Sequence, residues 1–234
     1  MWPAPTVAHS CGLCRCVASP HPSPPPPARK SSSSLLRRIT EDHFRYEVLY
    51  QINITDIDDK IINRAADEGS SEPEVASRFE ATFVEQMDRL NIAHPDLRPR
   101  ATDYVDRMVE VIGELVEREM AYTTISGVYF DVDRLDEYGA LVGRSVDDLR
   151  EGAGARVDVD DDKADPLDFA LWKSAKPGEP LWDSPWGPGR PRWPTECVAT
   201  PPHRPRDDFH INGGGDDLRR PPHETEPTTT RAAR

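Results

Sequence analysis

The chain of 234 residues has no aspartate or glutamate before Glu41, so all 42 of its acids lie in residues 41–234. It is poor in apolar residues, at 36%, where ordinary globular domains carry roughly 45–50% with glycine counted. No stretch approaches the ~20 apolar residues of a membrane-spanning helix. Positive charge is in deficit: 29 Lys and Arg against the 42 acids give a formal net charge of -13. That balance excludes a protein held to nucleic acid by bulk positive charge. Cysteine is scarce too. Three of the four crowd at Cys11, Cys14 and Cys16, which excludes a secreted disulfide framework. The one excess is proline, 24 residues, about twice average usage.

Eight prolines, seven serines and five basic residues fall within residues 1–40, including Pro24 to Pro27 and Ser31 to Ser34. Such a segment buries too little apolar surface to offset its ordering entropy. Residues 1–34 are therefore expected to be disordered. An acid-poor, Ser-rich, basic start suits an organellar transit peptide, with a linker or non-family sequence as the other reading. The corresponding locations are the mitochondrion or a plastid in the first case and the cytoplasm otherwise. The low-complexity tail, residues 227–234, is also expected to be disordered.

The middle reads as α/β. Val48, Tyr50, Ile52 and Ile54 alternate along one face of a strand. Thr55 or Asp56 can cap the helix that follows, which carries Ile57, Ile61 and Ile62. A second helix begins near Ser71, with Pro73 in its first turn. Val75, Phe79, Phe83, Met87 and Leu90 form its core stripe. Thr102 can cap a third helix, with Val105, Met108, Val109, Ile112, Leu115 and Val116 inward. Residues 121–132 read as a hairpin around Ser126-Gly127. A strand and helix followed by a helical pair and a hairpin suggest a parallel-sheet domain with an insertion.

Several patterns bear on chemistry. Asp158, Asp160 and Asp162 are spaced like the start of a calcium loop. Lys163 and Phe169 stand where such a loop needs glycine and a bidentate glutamate, so the run reads as a solvated acidic loop. Trp172, Trp182, Trp186 and Trp193 lie in a Gly- and Pro-rich stretch that either lines a pocket or pins a surface loop. Gly213, Gly214 and Gly215, followed by Asp216 and Asp217, could admit a nucleotide close to the backbone. Cys197, His223 and Glu226 are zinc ligand types; Cys197 can equally be a small buried hydrophobe.

Six blocks follow one another in order: Asn53-Ile-Thr-Asp-Ile-Asp-Asp-Lys-Ile-Ile62, Pro166-Leu-Asp-Phe-Ala-Leu-Trp-Lys173, Pro177-Gly-Glu-Pro180, Trp182-Asp-Ser-Pro-Trp-Gly-Pro-Gly-Arg-Pro191, Trp193-x-x-Glu196-Cys197 and Gly213-Gly-Gly-x-Asp217-Leu218. Together they resemble the cysteinyl-tRNA synthetases, a family of class I aminoacyl-tRNA synthetases, from about Leu35 to Glu226. The resemblance implies an incomplete Rossmann-type nucleotide-binding domain with an α+β connective insertion. Residues 35–70 would be part of the first half of the catalytic domain. Residues 71–190 would be the insertion and Trp-rich segment, and 191–226 the start of the second half.

It also implies the reaction: cysteine and ATP, with magnesium, give cysteinyl-adenylate and pyrophosphate, and the cysteinyl group passes to the cysteine tRNA. Zinc would select the substrate thiolate over a serine hydroxyl, a far poorer ligand. The candidate metal ligands are Cys197, Glu226, His223 and Cys11. The candidate ATP contacts are Gly213, Gly214, Gly215 and Asp217, and the candidate substrate contacts are Trp193 and Thr55.

The chain also departs from the family's pattern. Pro194 replaces the histidine of W-H-I-E-C, and Pro222 falls on the ligand histidine of P-H-H-E-N-E; proline offers no nitrogen to a metal. Arg192 stands where the family's R-P-G-W block has glycine. His21-Pro22-Ser23 and four prolines occupy the region where the phosphate-gripping H-I-G-H signature belongs. The K-M-S-K-S loop and the anticodon-reading domain have no counterpart before residue 234. The resemblance therefore implies a catalytically incomplete fragment. The competing expectations are a truncated or mis-spliced product and a paralogue kept for binding.

Overall fold

The structure is a computed structural model that describes residues 6–14, 28–135, 138–139, 143, 145–152, 162–200, 211–212, 225 and 229. The chain divides into two compact units, Met1–Asp103 with Thr200–Gly215, and Tyr104–Ala199 with Asp216–Arg234. Among the described residues no helix is long and apolar enough to cross a membrane.

The first unit is built on a parallel sheet of three strands in the order β2-β1-β7, with β1 Thr6–Cys14, β2 Glu47–Ile54 and β7 Ile211–Asn212. β1 runs parallel to β2 in a register from Thr6 against Glu47 to Cys14 against Ile54, and pairs β7 on its other side. Here the structure differs from the sequence reading, which left residues 1–34 without structure. The nine residues of β1 sit between proline clusters and gain their backbone partners from strands distant in sequence. A local window does not carry such pairing.

Helix α1, Ala28–Arg38, runs into a wide π-type turn at Ile39–His43 before β2. Val48, Tyr50, Ile52 and Ile54 of β2 form one core face, as their alternation predicts. They pack with Ile61 and Ala65 of α2, Asp59–Glu68, and with Val75, Phe83 and Met87 of α3, Glu72–Arg89. The sequence reading placed residue 71 onward in the insertion, whereas α3 packs within this first unit. Phe79 is only partly buried and Leu90 is exposed, which shortens the expected stripe.

The cap of α2 is Asp58, which accepts from Lys60 N at 3.0 Å, rather than Thr55 or Asp56. α3 starts as expected: the Glu74 carboxylate accepts from the Ser71 backbone N–H at 3.0 Å and its hydroxyl at 2.9 Å. That pairing satisfies donors left over at the helix start. The free edge of β2 is covered by the Pro-interrupted stretch after α3. Ile52 N donates to Leu97 O at 3.0 Å and Ile54 N to Pro99 O at 2.8 Å.

The second unit packs α4, Val105–Glu117, on an antiparallel sheet in the order β3-β4-β5-β6. The strands are β3 Ala121–Thr123, β4 Gly127–Phe130, β5 Phe169–Ser174 and β6 Gly189–Pro191. The predicted hairpin is β3–β4, with Ala121 opposite Phe130 and Thr123 opposite Val128. Val105, Val111, Ile112 and Leu115 of α4 meet Val128, Phe130, Leu171 and Trp172 in one core. A short helix, α5 (Val146–Gly152), precedes β5, and another, α6 (Thr195–Ala199), follows β6. The whole is α/β, a parallel-sheet unit interrupted in sequence by an α+β unit.

Candidate functional site

In the first unit the chemistry-bearing residues gather at the carboxyl end of β2. Ligands of open parallel sheets bind outside the carboxyl ends of the strands. Thr55 directly follows β2 and is partly exposed. Asp56 accepts from the Thr102 backbone N–H at 3.0 Å and from its hydroxyl at 2.5 Å. Thr102 is therefore engaged by Asp56, and α4 begins three residues later without it. Burial pushes the Asp56 carboxyl above its ordinary pKa, against the lowering effect of the Thr102 hydrogen bonds. The Cys11 backbone lies in β1, paired with Ile52. Gly213, Gly214, Gly215 and Asp217 follow β7 in sequence and lie outside the described residues.

The face of β2 opposite the apolar core is also buried, but polar. Gln51 Nε2 donates to Asn53 Oδ1 and to the Thr200 carbonyl, each at 2.8 Å. A sequence signal for this was present. Gln51 and Asn53 alternate with Tyr50, Ile52 and Ile54, and a parallel strand is buried on both faces.

In the second unit the structure brings two candidate residues together. Trp193 precedes α6 and Cys197 lies on it; Trp193 Nε1 donates to Cys197 Sγ at 3.0 Å. Cys197 is buried and outside any disulfide. α6 is anchored by Thr195, whose hydroxyl donates to the Leu171 carbonyl of β5 at 3.1 Å. Pro222, His223 and Glu226 lie outside the described residues. Among the described residues no group of three or more His, Cys, Asp or Glu could hold a metal ion.

Two buried groups that sequence reasoning did not single out organise this second unit. Asp168, only 2% exposed, accepts from the Tyr122 hydroxyl at 2.6 Å, Val132 N at 3.0 Å and Asp165 N at 3.1 Å. It ties β3, the end of β4 and the approach to β5 together. Burial raises its pKa while these hydrogen bonds oppose the rise. Burial and the carboxylate beside it also raise the Tyr122 phenol. Arg190 of β6 is buried against Glu179 at 3.2 Å, which fixes the turn after Lys176. Within the acidic run Asp162 stays exposed and accepts from Ser126 N at 3.0 Å and its hydroxyl at 2.7 Å, bracing the hairpin turn.

Comparison with known proteins extends this picture. The family described as "tRNA synthetases class I (C) catalytic domain" matches residues 29–234. A "Cysteine--tRNA ligase" of Nitratidesulfovibrio vulgaris is 52% identical over 193 residues, covering 82% of this chain and 39% of the relative. One of Methylobacillus flagellatus is 52% identical over 182 residues, covering 77% and 40%. One of Pyrococcus furiosus is 48% identical over 192 residues, covering 82% and 40%. The chain thus spans about two fifths of the length of the curated relatives it matches.

Proposed function

Since the chain belongs to the family of class I (C) tRNA synthetase catalytic domains, we propose that it supplies part of the catalytic domain of a cysteine–tRNA ligase. The reaction joins cysteine to ATP as cysteinyl-adenylate, releases pyrophosphate, and moves the cysteinyl group to the end of the cysteine tRNA. The observation that carries this reading is the parallel sheet with the Asn53 to Ile62 block at its carboxyl end, the side on which such sheets take nucleotides. Gly213 to Gly215 and Asp217, which follow β7, are the proposed ATP contacts. Thr55 and Trp193 are the proposed contacts of the amino acid.

Zinc is part of the family resemblance, and Cys197 suits it as a buried sulfur accepting an indole N–H, the kind of outer contact that orients a ligand. The donor set as a whole does not fit. Pro222 stands at the position of a ligand nitrogen and offers none, and His223 is displaced by one residue, which on a helix turns it to another face.

The 234-residue polypeptide does not complete amino-acid activation by itself. The substitutions that support this lie inside it: Pro222 at the ligand histidine, Pro194 in the Trp193–Cys197 block, and His21-Pro22-Ser23 in the phosphate-gripping region. Cysteine-dependent exchange of pyrophosphate into ATP tests this directly. The purified chain is expected to match a blank without protein, and robust exchange refutes the proposed incompetence.

A further inference from the structure

The polar face of β2 contains a donor that finds no acceptor among the described residues. Gln51 is 2% exposed and Asn53 1%. The Thr200 backbone carbonyl can only accept, so the Gln51 atom 2.8 Å from it is the amide nitrogen. The same nitrogen directs its other hydrogen at Asn53, whose facing atom must then be Oδ1, at 2.8 Å. This fixes the Asn53 amide in one orientation and leaves Nδ2 as the end of the chain of hydrogen bonds. Asn53 Nδ2 is buried and has no hydrogen-bond partner among the described residues. Leaving such a donor unpaired costs about 1–3 kcal/mol, and a native structure that sustains that cost calls for a reason.

Position supplies the reason. Asn53 is the penultimate residue of β2, one pleat nearer the carboxyl end than Gln51, and Thr55 and Asp56 follow it. Its face is opposite the apolar core formed by Tyr50, Ile52 and Ile54. We propose that Gln51 holds Asn53 as a hydrogen-bond donor to an anionic oxygen of the bound substrate at the carboxyl edge of the parallel sheet. Two sources share that chemistry, the cysteine carboxylate and the α-phosphate of ATP, which are the groups that activation joins. The inference rests on the function proposed above. Asn53 touches the substrate; Gln51 is a positioning residue that acts through it.

The test is calorimetric titration of the 234-residue chain with a non-hydrolysable sulfamoyl analogue of cysteinyl-adenylate, and separately with ATP and with L-cysteine, alongside a thermal melt. Asn53→Asp keeps an acceptor for Gln51 and replaces the donor by an oxygen. It is expected to weaken the analogue about tenfold or more, the loss of one hydrogen bond to a charged group, with a melting temperature within a few degrees of the parent. Asn53→Ser serves the same comparison if the aspartate variant does not fold. Gln51→Leu is expected to weaken the analogue less than either. A loss confined to ATP assigns the phosphate oxygen, and a loss confined to cysteine assigns the carboxylate. Unchanged affinity in the Asn53 variants overturns the proposal, as does weakening that merely tracks loss of fold. Failure of the parent chain to bind the analogue overturns it as well. Pyrophosphate exchange by the parent chain would refute its incompetence and leave this assignment standing.

Discussion

Asp168 shows how a single buried carboxylate organises a unit built from short strands. It receives the Tyr122 hydroxyl and the Val132 and Asp165 backbone N–H groups, so truncation strands donors in the interior. Asp168→Ala is expected to cost about 3 kcal/mol of unfolding free energy, read from denaturant melts. Its titration gives a second, signed prediction. Because burial raises the folded pKa, the folded state binds this proton more tightly than the unfolded chain. The stabilisation is complete below the unfolded value of about 3.9 and is lost as the pH rises through the raised folded value. Asp168→Asn has no such proton. The stability of the parent relative to Asp168→Asn should therefore fall as the pH rises across the acidic range, and a difference independent of pH contradicts it. Residues of this kind were hard to read from the sequence. Asp168 stands within a recognised block, but its burial and its partners at positions 122 and 132 are products of the fold. Trp193 and Cys197 were legible as members of one block, while the hydrogen bond between them emerges only in the structure.

Local rules carried further for the elements. The alternation of β2, the helical period of α3 and the turn at Ser126-Gly127 each correspond to an observed element, with the core stripe of α3 shortened at Phe79 and Leu90. β1 was not legible, because its pairing with β2 and β7 comes from residues far away in sequence. The caps of α2 and α4 differ from the local expectation because Asp56 and Thr102 satisfy each other, a tertiary contact that removes both from local capping. The antiparallel sheet depends on a close approach at Gly127, whose φ is +149° and where an added Cβ would stand 2.0 Å from the Trp172 carbonyl oxygen. Gly127→Ala is expected to push β4 from β5 and cost about 2–4 kcal/mol. A melting temperature equal to the parent's would show that the two strands separate more cheaply than their register implies.

For the whole molecule, family membership and the α/β architecture were legible in six ordered blocks, because their residue types and spacings are specific. The state of the ligand set depends on positions that the blocks do not protect. Pro222, at the position of the ligand histidine, argues that zinc affinity is degraded. Metal analysis of the purified chain should accordingly find less than about a tenth of the single equivalent that a four-ligand site retains. One full equivalent would contradict that degradation. In the proposed reading this polypeptide carries part of the catalytic domain of a cysteine–tRNA ligase and does not activate cysteine by itself. Cysteine-dependent ATP–pyrophosphate exchange, measured on the folded 234-residue chain, tests it most directly. Exchange indistinguishable from a protein-free blank is expected, and sustained exchange that requires both cysteine and the chain would refute the proposed incompetence.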